Sequence, residues 1–186
     1  MKRLKSCLIL AVAVFIILIA GCAKNSPNTE GVPQAVKNLE KFKLVTVEHP
    51  NTAAPAFILT DDKGINFSSN DLKGKIYIIQ GFAPGCSSCA REIATLNKLY
   101  DKFHGKGLEI ISLDIVSDDP SGVLYTKKQF NGGNWHWTFD SDNLAVKLEM
   151  KTLESTYLVD KEGIIRYKDE TITNADVLSD EIQKLI

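Results

Sequence analysis

The sequence predicts an α/β domain, a central β-sheet flanked by helices, and three observations predict it. Ile76–Phe82 is apolar nearly throughout, as a strand is when both of its faces are covered. A helical period follows, with Ile93, Leu96, Tyr100 and Phe103 in steps of three and four. Leu108–Ile115 then returns as a second apolar strand over a short link. Strand, helix and strand so joined form a right-handed crossover with parallel pairing.

The chain opens on a targeting pattern. Lys2, Arg3 and Lys5 precede the apolar run Cys7–Ala20, which has signal-peptide length and is short for a spanning helix. The run ends Leu18-Ile19-Ala20-Gly21-Cys22. This resembles a bacterial lipoprotein signal, in which an apolar residue and two small ones precede a cysteine. The resemblance implies cleavage after Gly21 and lipid on the Cys22 sulfur; an ordinary secretory signal with a chance cysteine is the alternative. Residues 1–21 are thus expected to be signal and residues 22–50 the lipidated cysteine, a tether and a short lead-in. Ala23–Gln34, rich in Asn, Ser, Pro, Thr and Gly, has little to bury and reads as a flexible linker. Alternation at Leu44–Val47 reads as the approach to an edge strand.

Residues 51–186 form one domain, long enough for a single core. Phe57–Thr60 and Ile65–Phe67 make an N-terminal β-hairpin across Asp61-Asp62-Lys63-Gly64, a turn suited to Asp and Gly. The helix after the central strand runs from Ser87 to Phe103 and stops at Gly105 and Gly107. Asp119-Pro120 opens a second helix, with Val123, Leu124, Tyr125 and Phe130 as its apolar points and Gly132-Gly133 as its end. Trp137 and Phe139 lie at strand spacing, and Asn143–Met150 reads as a short helix. Thr156–Val159 and Ile164–Tyr167 pair across Asp160–Gly163. Thr173 can cap a last helix that turns Leu178, Ile182 and Leu185 inward.

The chemistry gathers where the central strand breaks, at Phe82-Ala83-Pro84-Gly85-Cys86-Ser87-Ser88-Cys89. Cys86 stands at the start of a helix, among N–H groups with no intrahelical partner and at the positive end of the dipole. A thiolate is stabilised there, and the thiolate is the form that attacks a disulfide. Cys89 lies one turn on, close enough to resolve a mixed disulfide. A purely structural disulfide around two residues would restrain the unfolded chain little. A structural zinc site would need two more ligands at suitable spacing. Of the four cysteines, Cys7 leaves with the signal and Cys22 carries lipid, so Cys86 and Cys89 are the only thiols of an exported domain. Without the signal the formal charge falls from −1 to −4, which argues against nucleic acid as a partner.

Pro55-Ala56-Phe57, the Gly64 turn, Leu72-Lys73-Gly74-Lys75, the CxxC and Tyr157–Gly163 together resemble the thioredoxin superfamily, and within it the TlpA/ResA-like redoxins, membrane-tethered thiol–disulfide oxidoreductases of the bacterial envelope. The likeness runs from about Pro55 to the C-terminus. It implies a thioredoxin-like mixed sheet flanked by helices, with attack by Cys86 and resolution by Cys89. It implies protein disulfides or dithiols as substrates, an electron donor or acceptor in the membrane, and no cofactor or metal. An acidic residue three after the second cysteine recurs in the ResA-like branch and falls on Glu92. One turn from Cys89, Glu92 can share its face and accept a proton, or be a solvated residue that the helix N-terminus favours.

Two departures fall on the expected substrate surface of Gly85, Glu154 and Ser155. Gly85 replaces the Trp usual before the first cysteine. Glu154 stands where the family places a cis-proline. A non-proline cis bond costs about 2.5–4 kcal/mol against about 0.5–1 for proline, so a trans peptide is expected here. Glu154 also brings negative charge toward Cys86, which disfavours its thiolate.

In Trp135-His136-Trp137 the tryptophans share one strand face and His136 takes the other, as packing or as a metal or groove residue. Two other functions are weighed. A peroxiredoxin-like peroxide reductase has Thr or Ser three before its attacking cysteine, itself four after a Pro, and neither cysteine fits. A copper module resembling the Sco/SenC carriers separates its cysteines by three residues, not two, and lacks its His here unless His136 substitutes.

Overall fold

The computed structural model describes residues 47–117 and 119–186, so the signal, Cys22 and most of the tether lie outside the described residues. Nine strands and four α-helices follow in the order β1 (Val47–Glu48), β2 (Thr52–Ala53), β3 (Ile58–Thr60), β4 (Asn66–Ser68), β5 (Ile76–Phe82), α1 (Ser87–Phe103), β6 (Leu108–Asp114), α2 (Pro120–Gln129), β7 (His136–Phe139), α3 (Leu144–Lys147), β8 (Thr156–Val159), β9 (Ile164–Asp169) and α4 (Ala175–Gln183). The main sheet is ordered β1-β9-β8-β5-β6-β7, with β2 also on β9, and β3-β4 form a separate hairpin. β5, β6 and β7 run parallel, while β8 and β9 pair antiparallel, so the sheet is mixed. Among these residues no helix is long and apolar enough to cross a membrane.

Why β5 is apolar nearly throughout is now visible. Ile76, Ile78 and Phe82 face a core built with Ile93, Leu96 and Phe103 of α1, Val123 of α2, and Leu178 and Ile182 of α4. Tyr77 and Ile79 face a second core, closed by Leu59 and Phe67 of the hairpin and by Leu144 of α3. Each face loses its water, so apolar residues occupy both, and the buried amide of Gln80 is met by the Ser112 hydroxyl of β6 at 3.4 Å.

The two Asp-to-Gly turns are built alike. Oδ1 of Asp61 accepts the N–H groups of Lys63 and Ile65, and Oδ1 of Asp160 accepts those of Glu162 and Ile164. Gly64 and Gly163 complete them at φ 76° and 81°, where a side chain would be strained. Burial pushes both carboxyls up, but the N–H donors, with His136 beside Asp61 and Arg166 beside Asp160, hold both below the usual range.

Three elements differ from the sequence expectation. Among the described residues the sheet already includes Val47–Glu48, ahead of the domain start expected at residue 51, because β1 pairs with the far end of β9, which extends to Asp169. On α2 only Val123 of the adjacent apolar trio is buried, while Leu124 and Tyr125 are 52% and 62% exposed. Consecutive helical residues point some 100° apart, so the second inward position passes to Thr126, three beyond Val123. At α4 the cap is Asn174, whose side chain accepts from Asp176 N–H and Val177 N–H. Thr173 stands one residue before the cap and gives its N–H to Glu92.

Trp135 and Trp137 do share one face, stacked at 5.7 Å and buried. Gly132 and Gly133 make room for them, since a Cβ at either would fall within the indole rings. His136 takes the other face, 3.1 Å from Asp61 Oδ2 and stacked on Phe67 at 4.2 Å.

Candidate active site

β5 ends at Phe82, and the chain turns through Ala83-Pro84-Gly85 into α1. Cys86 N–H closes the turn on Ala83 O at 3.2 Å. Gly85 sits at φ 78°, in the left-handed region, which accounts for glycine where an aromatic residue was expected. Gly85 and Pro84 are exposed beside the cysteines.

Cys86 and Cys89 are joined in a disulfide, with Cα atoms 5.3 Å apart. Cys86 is the N-cap residue of α1, and its sulfur accepts the Cys89 N–H at 3.1 Å. That donor is one of the unpaired N–H groups of the first turn, placed where a thiolate would be stabilised. The two sulfurs are not equivalent. Cys86 is half-buried at the surface, whereas Cys89 is wholly buried, with Leu153 O 3.9 Å from its Sγ.

Glu92, one turn below Cys89, is not a solvated residue. It is fully buried, with Oε1 accepting from Thr156 Oγ1 at 3.0 Å and Oε2 from Thr173 N–H at 2.9 Å. Burial pushes its carboxyl up to about 6, the donors from Thr173 and Thr156 pull it back, and Asp169 adds to the rise. Such a group changes protonation near neutral pH, as an acid or base in a thiol exchange must.

The loop opposite the disulfide runs Lys151–Ser155. Every described peptide bond is trans, that of Glu154 included. Ser155 was expected on the substrate surface, but its side chain is buried: its hydroxyl donates to Thr152 O at 2.9 Å, and its carbonyl accepts from Gly81 N–H at 2.9 Å. Ser155 therefore pins the loop to β5. Glu154 is half-buried and points back at the active site, where it accepts a hydrogen bond from Ser88 Oγ. Ser88 Oγ lies 3.3 Å from Cys86 Sγ.

Cys86, Cys89, Glu92, Gly85 and Glu154 are thus brought to one place. His136 is not among them. It belongs to β7, two strands from β5, and its Nδ1 is taken by Asp61. Sequence reasoning missed Ser88, Thr156 and Thr173. Ser88 was legible only as a polar residue between the cysteines, Thr156 as a strand residue and Thr173 as a helix cap.

A mixed sheet that delivers a CxxC disulfide to a helix N-terminus defines a thioredoxin-fold thiol–disulfide redox protein. The chain belongs to the AhpC/TSA family, which it matches over residues 50–168. It is 39% identical to the thiol-disulfide oxidoreductase ResA of Bacillus anthracis over 111 residues, 59% of this chain and 63% of that one. It is 26% identical to the thiol:disulfide interchange protein DsbE of Escherichia coli over 150 residues, 80% of this chain and 72% of that one. Among solved structures, the thioredoxin domain of a thiol-disulfide oxidoreductase from Bacteroides vulgatus superposes with a TM-score of 0.64 at 26% identity, covering 72% of this chain and 95% of that one.

Proposed function

We propose that this chain is a lipid-anchored extracytoplasmic thiol–disulfide oxidoreductase that reduces disulfides of exported proteins through Cys86 and Cys89. The observation that carries the reading is the asymmetry of the pair, one sulfur at the surface on a helix N-terminus and the other buried behind it. In the reduced protein the Cys86 thiolate attacks a substrate disulfide, forming a Cys86–substrate bond and releasing one substrate sulfur as thiolate, which takes a proton from water. Cys89 then loses its proton toward Glu92 and attacks Cys86 Sγ. The second substrate thiolate leaves, and the Cys86–Cys89 disulfide remains. Two electrons pass from the pair to the substrate, and a membrane donor outside this chain returns them.

Full-length Cys86→Ala is expected to lose insulin-type disulfide reduction altogether; full activity in that variant would end the reading. The anchor is a separate proposal. It rests on Leu18–Cys22, and the tether behind Cys22 would let the domain reach partners away from the bilayer. Cys22→Ala is expected to abolish labelling by radioactive palmitate and release the protein from membranes. Labelling that persists in this variant contradicts lipid on Cys22.

A peroxide reductase is disfavoured because Ala83 stands three residues before Cys86, where that chemistry places a hydroxyl. A copper module is disfavoured because His136 is engaged with Asp61.

A further inference from the structure

The carboxylate of Glu154 reaches the attacking sulfur through one hydroxyl. In the disulfide form, where Cys86 Sγ is bonded to Cys89 and carries no proton, Ser88 Oγ donates to Glu154 Oε1 and stands 3.3 Å from Cys86 Sγ, the position that the sulfur keeps at the head of α1 when the bond opens. A serine hydroxyl has a single proton. While that proton is committed to the carboxylate, Ser88 turns an oxygen lone pair toward Cys86. A thiol can donate into that lone pair. A thiolate receives nothing from it and faces a carboxylate one hydroxyl away.

We propose that Cys86 and Glu154 share one proton through Ser88, so that Ser88 and Glu154 are positioning residues that set when Cys86 becomes a nucleophile. With Glu154 ionised, Cys86 is held as the thiol in the chain Sγ–H to Oγ–H to Oε1. On activation the Sγ–H bond breaks and its proton bonds to Ser88 Oγ. The former Ser88 proton bonds to Glu154 Oε1. The products are a Cys86 thiolate and a neutral Glu154, and the new Ser88 O–H points at the sulfur and stabilises it. No proton is gained or lost. The state with both groups charged is the one that the arrangement penalises.

The other ionisable groups of the surrounding elements are engaged elsewhere or exposed. Glu92 of α1 bonds Thr156 and Thr173, and Arg91 of α1 is exposed. Asp114 at the end of β6 accepts from Val116 N–H and Ser117 N–H through Oδ1, while its Oδ2 is buried with no hydrogen-bond partner among the described residues. Asp119 caps α2 through Ser121, and Lys151 in the loop pairs with Glu170. Glu154 is the carboxylate that touches the hydroxyl next to Cys86. This inference rests on the assignment of Cys86 as the attacking sulfur, and the experiment separates the two.

The rate of iodoacetamide alkylation is measured against pH on the reduced full-length chain, with mass spectrometry reading the Cys86 and Cys89 peptides separately. Glu154→Gln removes the charge and offers an amide N–H that can donate to Ser88 Oγ, which turns the Ser88 hydroxyl proton toward the thiolate. It is expected to lower the pH midpoint of Cys86 by about one unit, which is about tenfold faster alkylation well below the midpoint. Ser88→Ala removes the bridge, so adding Glu154→Gln to it is expected to change the rate less than about threefold. An unshifted midpoint in Glu154→Gln overturns the proposal. So does an equal shift with and without Ser88, which would mean a direct charge effect. Faster alkylation of Cys89 than of Cys86 contradicts the attacking assignment alone, because the relay is still read on the Cys86 peptide.

Discussion

Cys89→Ala is expected to turn a turnover catalyst into a trap. Cys86 would still attack a substrate disulfide from its half-buried position at the surface, at the head of α1. The sulfur that should displace the product would be missing. A stoichiometric covalent adduct should accumulate, visible on non-reducing gels and dissolved by dithiothreitol, while catalytic reduction of the same substrate is lost. The effect is large because no other thiol of the described residues can stand in. Cys89 is wholly buried beneath Leu153, so its natural target is the neighbouring sulfur and not an incoming protein. The adduct should vanish when Cys86→Ala is added. An adduct that instead forms in Cys86→Ala and fails in Cys89→Ala would reverse the two roles.

Glu92→Gln is expected to separate stability from activity. The folded-state carboxyl lies at about 6 against an ordinary 4.5, with burial as the main cause. Between those values the folded protein holds a proton that the unfolded chain has released, so stability falls as pH rises. The contribution is fully present below about pH 4.5 and is lost through pH 6. By pH 7 the ionised group costs about 2 kcal/mol. Glu92→Gln keeps the shape, accepts Thr173 N–H and donates to Thr156 Oγ1, so it should flatten this part of the pH–stability curve and unfold at higher urea at pH 7. A proton acceptor for Cys89 would be lost with it, and resolution should slow by about 10²-fold or more. Unaltered kinetics with raised stability would leave Glu92 without a part in the chemistry. At lower pH, Asp61 and Asp160 act in the opposite sense. Their lowered values give stability that is lost as pH falls through them, so the two effects occupy separate windows.

The elements legible in the sequence were those fixed by local chemistry. β5 showed itself by an apolar run that only a twice-covered strand sustains, and α1 by its period and its glycine stop. The Asp61 and Asp160 turns announced themselves by Asp and Gly at a set spacing. The cysteine pair was legible because strand, turn and helix are contiguous. What escaped depends on distance along the chain. Nothing near Glu92 says that Thr156 and Thr173, 64 and 81 residues away, will bury and bond it. Nothing near Ser88 says that Glu154 will accept its proton, and Ser155 next door read as surface although β5 draws it inward. Leu124 and Tyr125 misled for a different reason, since hydrophobicity alone does not say which face of a helix is covered.

A redox titration of Cys86 and Cys89 tests the central claim most directly. The full-length protein is equilibrated across a dithiothreitol or glutathione series, and its free thiols are counted by alkylation and mass spectrometry. The two sulfurs should open and close together in one two-electron transition, spanning about 30 mV per tenfold change in ratio, with a midpoint inside the range of about −270 to −120 mV known for such pairs. A pair that stays closed under every poise, or sulfurs that titrate independently, would contradict the account.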